Sequence, residues 1–456
     1  METIEAGGQG CTVVVAAAFV LAFLGLILLG VLVGAVTGLS PGLHVNNVAA
    51  LLLATRSAWS AFIGVLMPDT ATDPSLTGVL LSCFLVATAA SHSVFNFIPS
   101  VFLGAPTEDT ALATLPGHRL LLAGNGAKAV ALAARGSVLG TAFAIFFVVP
   151  LRFLLSDPIE LAERFRPWTA VFLLSLLAAI VATEYRGRRP VGRVLRAAWV
   201  QILAASLGIV TLRGTLPFDP NTVLFPLFAG LFGLPTLLVA LRGPSARIPH
   251  QRLESLRLLS REDARSALRG TAAGAAVSWL PGLSGGAAAT LASVGGRKHT
   301  GPHQFMIVLG AVSSSTALLS VTVLFIIHRT RSGTAAAVRD FVGDFVPWPS
   351  LWSAPASLLA VLSASVLATA LAAPLVVRLA RQIARRCSSS NPRRIALLSL
   401  VVIQALLFVV TGPLGIGVAA IAMLVGLVPI ALRVRRVHLM ASLLVPVLLT
   451  YLSAPR

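Results

Sequence analysis

"GAVTGLSPGLHVNN" occupies residues 34–47, inside a run otherwise apolar enough to enter a membrane. The run breaks itself at Gly38, Ser40, Pro41 and Gly42, then places His44, Asn46 and Asn47 after the break. Proline removes a backbone donor and disfavours helix in the residue before it. Glycine permits a sharp turn. Backbone broken at membrane depth is tolerated only where protein buries it or where it lines a wet cavity. The reading of this stretch therefore decides whether the chain is a plain bundle or a bundle with an internal site.

That the surroundings are membrane follows from composition. The 456 residues are 56% hydrophobic and only 11% charged, with a mean hydropathy of +0.90. Soluble domains carry about 25% charged residues. A transmembrane barrel would show short alternating segments, and the apolar runs here are long. The fold class expected is an all-α polytopic membrane protein with about ten to twelve transmembrane helices.

A crossing helix needs about 20 apolar residues. Candidate spans lie near 11–37, 77–97, 138–155, 168–184, 196–211, 221–241, 304–328, 350–378, 394–410, 412–432 and 438–452. Two further apolar segments, 39–55 and 281–296, follow Pro-Gly breaks and are too short and glycine-rich for ordinary spans.

The net charge is +19, carried almost wholly by arginine. The basic stretches 184–193, 242–269, 378–394 and 433–436 lie between apolar spans, whereas 67–74 and 156–164 are acidic on balance. Positive loops stay in the cytoplasm. That rule fits a multi-pass protein of the plasma membrane with its N-terminus outside, provided both Pro-Gly segments turn back instead of crossing. The loop 329–349, with Arg329, Arg331 and Arg339, then lands outside and is the weak point. Glu2 and Glu5 precede the first span with no basic residue, unlike a signal peptide, so 11–37 reads as an uncleaved helix. Cys11, Cys83 and Cys387 are scattered without metal spacing.

"GVLVGAVTGLSPGLHVNNVAALLLA" from Gly30 matches "GTAAGAAVSWLPGLSGGAAATLASV" from Gly270. Gly30 aligns with Gly270, Gly34 with Gly274, and Pro41-Gly42-Leu43 with Pro281-Gly282-Leu283. Five spans follow each break, an odd number, so the second copy starts on the opposite side of the membrane. This is an inverted-topology repeat, an architecture common in secondary transporters. The expected organisation is a first repeat over 1–241 with a re-entrant hairpin near 34–55, a basic cytoplasmic linker over 242–269, and a second repeat over 270–456 with a hairpin near 278–296.

Two such breaks, entering from opposite faces, would meet near the midplane. Each offers a short-helix N-terminus with unpaired N–H groups and partial positive charge, which suits an anion. The candidate substrate-binding residues are Ser40, Pro41, Gly42, His44, Asn46, Asn47, Pro281, Gly282, Ser284, Gly285 and Gly286. Helix capping by the same Ser and Asn side chains is the plain alternative. "SHSVFNFIPS" places His92 and Asn96 on one helix face, at what reads as the cytoplasmic end of a span, where they line the cavity or are solvated at the interface. "LPGHR" is a further break, ending in His118 and Arg119 at the cytoplasmic mouth. Ser313 and Ser314 sit within a span. No metal site is expected, and His44, His92 and His118 lack ligand spacing. No cofactor is expected beyond a coupling Na⁺ or H⁺. The chain has no GxxxxGK[ST] loop.

"GAVTGLSPGLHVNN" followed by "FNFIPSVFLGAPTEDTALATLPGHRLLLAGNGAKAV" resembles the large membrane permease of tripartite tricarboxylate transporters, TctA-type, and within it the divergent branch found in archaea. "FPLFAGLFGLPTLL", "RSGTAAAV" and "GPLGIGVAAIAMLVGLVP" add to the likeness. The resemblance implies a carrier of organic, carboxylate anions by alternating access, not an enzyme. It implies partners too: a small membrane subunit and an extracytoplasmic binding protein, besides a small anionic substrate and membrane lipid, with no nucleic acid. "VLGAVSSSTALLS" stands where typical members carry an Asn-rich segment. "LPGLSGG" (280–286) also resembles the "PGxSGG" box of polyprenyl-phosphate translocases, the alternative reading. An intramembrane hydrolase using Ser40 with a histidine is a third.

Overall fold

The structure is a computed structural model. It describes residues 2–40, 45–66, 74–103, 114–185, 190–213, 223–242, 249–253, 258–280, 285, 288, 289, 292, 301–330, 332–343, 348, 353–387 and 392–453. Every element among them is helical, as an apolar chain that must satisfy its backbone internally requires.

Nine helices among the described residues are long and apolar enough to cross a membrane, and Leu224–Val239 and Ala396–Val409 are shorter apolar helices. The first half comprises α1 (Glu2–Leu39), α2 (Val45–Ala54), α3 (Arg56–Leu66), α4 (Pro74–Phe95), α5 (Thr114–Leu122), α6 (Gly126–Leu155), α7 (Leu161–Phe165), α8 (Thr169–Ala182), α9 (Pro190–Leu212), α10 (Leu224–Phe228) and α11 (Leu234–Arg242). The second comprises α12 (Arg261–Trp279), α13 (Pro302–Ile327), α14 (Gly333–Val342), α15 (Ala356–Cys387), α16 (Pro392–Ala431) and α17 (Ala441–Ser453). α16 is two arms: Gly412 at φ 65° breaks it, ahead of Pro413. That matches the two spans expected at 394–410 and 412–432.

α4 and α13 form the centre. Their most apolar windows are 89% buried, against 28% for α1. Large apolar side chains on the outer helices, such as Leu21, Phe146 and Val409, are exposed, as a lipid-facing surface demands.

Glycines set the helix directions. A Cβ on Gly30 would meet Phe84 and Ala87, and one on Gly38 would meet His92 and Phe95, so α1 and α4 run the same way. Gly270 faces Val308 and Ala311, and Gly274 faces Val312 and Ser315, so α12 and α13 are also parallel. Gly136 abuts Ile307 and Gly140 abuts Ala311, which makes α6 parallel to α13. The tail of α4 meets the head of α6, with Gly126 beside Phe102. α4 is therefore antiparallel to α13.

The same contacts give levels. Gly30, Gly34 and Gly38 lie opposite Phe84, Thr88 and His92, a constant offset of 54 residues, so Leu39 is level with Ser93. Beyond that level α4 continues through a π turn to Leu103. Gly270 and Gly274 lie opposite Val308 and Val312, an offset of 38, so Trp279 is level with Ala317 while α13 runs on to Ile327. Each first helix thus stops ten residues, about 15 Å, short of its partner's far end. α4 begins level with Val20 and α13 level with Ala264, on the sides from which α1 and α12 set out.

The basic stretches share one end. Arg252 donates its N–H to Gly124 O at 2.8 Å, seating the 249–253 segment on the turn before α6. Arg135 pairs with Asp263 at 2.7 Å, and Asp263 also closes a capping box with Ser260 at the start of α12. Buried Glu184 accepts from Arg193 at 3.1 Å and lies 3.6 Å from Arg435 and 3.5 Å from His438, tying the α8–α9 turn to the end of α16. At the other end Arg329 pairs with Glu163 at 2.7 Å, and Arg339 lies 3.9 Å from Asp340. The arginines that the loop 329–349 places there are locally neutralised; Arg331 is outside the described residues.

Candidate functional site

The last turn of α1 carries Thr37 and Gly38 to the level of His92 and Asn96. Gly38 has no side chain there, so the α4 backbone comes close. Thr37 donates its hydroxyl to Gly34 O at 3.2 Å and lies 3.0 Å from His92 Nδ1. The pair joins α1 to α4, the imidazole tautomer setting which of the two donates. Ser91 donates to Val31 O at 2.9 Å, a second bond between the helices.

His92, Asn96, Ser313 and Ser314 are 6%, 4%, 6% and 2% exposed. His92 and Asn96 are thus enclosed by protein. α4 closes at Phe95, close to where the apolar pattern ends it, but the span does not stop there. The span runs on through the π turn Pro99–Leu103 to Phe102, so this cluster lies inside it.

The two central helices touch through these polar runs. Ser93 Oγ lies 3.5 Å from Ser314 Oγ. Ser315 donates to Ala311 O at 2.6 Å, folding its hydroxyl back on its own helix while Gly274 packs against it. Ser278, one turn before the second break, donates to Ala275 O at 2.7 Å.

At the first break Ser40 still donates its N–H to Val36 O at 3.1 Å. Pro41, Gly42 and His44 lie outside the described residues. α2 resumes at Val45 and holds both Asn46 and Asn47, the Asn47 side chain being outside the description. Asn46 lies against the N-terminus of α14: a Cβ at Gly333 would sit 2.8 Å from its Oδ1. Ser332 caps that helix by accepting from Ala335 N at 3.1 Å. Two helix N-termini, each partially positive, therefore converge on Asn46. Neither Thr37 nor this approach of α14 was expected from the sequence. The Ser-Gly pair at 332–333, an N-cap signature, is the signal that could have found the second.

At the second break Leu280 leaves α12 in an extended conformation, φ −77° and ψ 125°, as the residue before a proline should. Pro281, Gly282, Ser284 and Gly286 lie outside the described residues. Gly285 is buried and helical.

His118 and Arg119 sit on α5 at the basic end, Arg119 exposed. Burial lowers the His118 pKa from its ordinary 6.5, against a smaller opposing effect of a hydrogen bond to the Val101 backbone. Its Nδ1 is buried without a hydrogen-bond partner. α5 packs on the π turn, where Gly117 meets Val101. His118 is therefore apart from His92, and no group of three or more potential metal ligands occurs among the described residues.

A family model described as the tripartite tricarboxylate transporter TctA family matches residues 24–441. The chain belongs to that family. The match spans both breaks, the Ser93–Ser314 contact and the basic end. The TctA family is a family of membrane transporters, and its members are the large component of tripartite systems that also use a small subunit and a binding protein. The chain is also similar to the uncharacterized protein MJ1079 of Methanocaldococcus jannaschii, 29% identical over 314 residues, covering 69% of this chain and 71% of that one. The archaeal likeness expected from the sequence agrees with that relative. No solved structure matches the chain.

Proposed function

We propose that this TctA-family transporter carries small carboxylate anions by alternating access about a midplane site. The reading rests on one observation above all. Two helices, α1 and α12, halt about 15 Å short beside partners that run antiparallel to each other, and those partners touch at Ser93 and Ser314. On this reading 1–241 and 270–456 are inverted copies, joined by the 242–269 linker, and each halted helix opens a re-entrant hairpin.

The hairpin tips, Ser40-Pro41-Gly42 with His44, Asn46 and Asn47, and Pro281-Gly282 with Ser284, Gly285 and Gly286, would present amides and hydroxyls to the carboxylate. His92, Asn96, Ser313 and Ser314 would wall the site. Arg119 and His118 would draw anions to the cytoplasmic mouth, with the N-terminus outside in the plasma membrane. Na⁺ or H⁺ would drive the cycle, with a small membrane subunit and an extracytoplasmic binding protein supplying substrate.

One observation favours a second reading, translocation of a polyprenyl phosphate. A groove lined by Arg378, Arg381 and Arg385 lies between α6 and α15, one helix from each half. The two readings part in a reconstituted uptake assay. Labelled di- and tricarboxylates are compared with polyprenyl phosphate in proteoliposomes, with Na⁺ and pH gradients varied separately and binding protein added or omitted. The carrier reading requires gradient-driven carboxylate uptake that Asn46→Ala reduces at least about tenfold, the loss of one charge-assisted hydrogen bond. Uptake of the lipid phosphate alone would replace it.

A further inference from the structure

The groove between α6 and α15 has a chemistry of its own. Thr141 and Thr369 hold the helices together with their hydroxyls 3.5 Å apart. From there toward the basic end a groove of about 880 Å³ opens. Its depth is apolar, lined by Ala134, Val138, Pro374 and Val377, and its mouth is basic. Positions 374, 378, 381 and 385 follow helical spacing, so one face of α15 supplies both the apolar wall and three arginines. Arg135, also at the mouth, is committed to Asp263 at 2.7 Å. Among the described residues no carboxylate pairs with Arg378, Arg381 or Arg385.

Three guanidinium groups without a carboxylate among the described residues call for an anion, and a planar donor fork suits phosphate oxygens. The apolar depth says which kind. It is continuous with side chains that face the bilayer: Val138 is 41% exposed, Leu371 39% and Leu375 48%. A free phosphate would satisfy the mouth and leave these walls bare. A protein helix would fill the walls but needs acidic residues placed for all three arginines. A lipid brings a phosphate and a hydrocarbon chain already joined at the right distance from the interface.

We infer that this groove seats an anionic glycerophospholipid of the leaflet at the basic end. Arg378, Arg381 and Arg385 hold its phosphate, and an acyl chain lies along Ala134, Val138, Pro374 and Val377. The lipid wedges α6 and α15 apart below Thr141 and Thr369. This site is separate from the proposed carboxylate path, so it does not depend on that reading.

The test uses full-length protein in neutral detergent, stripped of lipid. Native mass spectrometry and thermal unfolding follow titration with phosphatidylglycerol, phosphatidylcholine, sn-glycerol-3-phosphate and a polyprenyl phosphate. Phosphatidylglycerol is expected to bind and stabilise in preference to the other three. R378Q/R381Q/R385Q should weaken that binding about a hundredfold, at roughly fivefold per arginine near a membrane surface. R261Q/R265Q/R269Q, which removes the same charge from exposed positions at the same end, should weaken it less than about threefold. Equal binding of phosphatidylcholine, equal losses in the two triple variants, or full competition by glycerol phosphate would overturn the lipid site. Preference for polyprenyl phosphate would make the groove a substrate entry instead. A mass showing a second copy of the chain in place of lipid would make it a dimer interface. If the arginine variant does not fold, the wild-type ranking of the four ligands still decides.

Discussion

Gly30 and Gly270 are the sharpest place to test the packing that positions the site. The nearest atom to a Cβ at Gly30 is Phe84 O at 2.6 Å, followed by Ala87 Cβ at 2.9 Å. At Gly270 it is Val308 O at 2.5 Å, followed by Ala311 Cβ at 2.8 Å. Ordinary contact begins at 3.4 Å, so alanine at either position forces the paired helices apart by about 0.8–0.9 Å. The obstructing atoms are backbone carbonyls, which cannot swing aside as a side chain can. Overpacking of this kind costs about 1–3 kcal/mol. Alanine also favours helix over glycine by about 1 kcal/mol, which partly masks the cost. Gly25, on the same helix with nothing within 4 Å of a Cβ, carries that gain without the clash. The difference between Gly25→Ala and Gly30→Ala therefore isolates the packing term at about 1–3 kcal/mol. Equilibrium unfolding in mixed micelles measures it. The two clashing sites share no neighbour, so Gly30→Ala and Gly270→Ala should add to within about 0.5 kcal/mol. Stability of Gly30→Ala equal to that of Gly25→Ala would refute the close approach of α1 and α4, and with it the levels assigned to the helix ends.

Three other perturbations follow from single contacts. Glu184→Gln removes the carboxylate that Arg193, Arg435 and His438 share; since both arginines are partly exposed, the loss should be about 1–3 kcal/mol, below the full value for a buried pair, read by thermal unfolding. Thr37→Val takes the hydrogen-bond partner from His92 Nδ1 and should cost about 1–3 kcal/mol, whereas Thr37→Ser should keep most of it, as the same unfolding assay will tell. His118 has a folded pKa below its ordinary 6.5. Its contribution is complete above 6.5 and is lost as pH falls from there through the folded value, so His118→Gln should flatten the acid limb of the stability profile, and an unchanged limb would assign it to other groups.

What could be read from the chain differs by kind of signal. The breaks are legible because proline and glycine act locally: Leu280 extends before Pro281, and Gly412 splits α16, with no tertiary help needed. Helix α12 is less legible. Its first turns hold Arg261, Arg265 and Arg269, so hydropathy does not mark it as a span, and only the glycine match to α1 betrays it. The pattern places the end of α4 well, at Phe95, but not the π turn that follows it, because polar side chains inside a protein-lined span look like those at an interface. The Thr37–His92 bond joins residues 55 apart, and Asn46 meets Gly333 across the two halves of the chain, so neither leaves a periodic trace. Glycine carries the information that links these levels. In lipid, helices gain little by hiding apolar surface from one another, and association rests on close packing and interhelical hydrogen bonds. A residue without a side chain is where such packing must be written. The glycines at 30, 34, 38, 270 and 274 therefore set helix direction, the height of each break and the meeting of Ser93 with Ser314, which propensity or hydropathy alone would leave open.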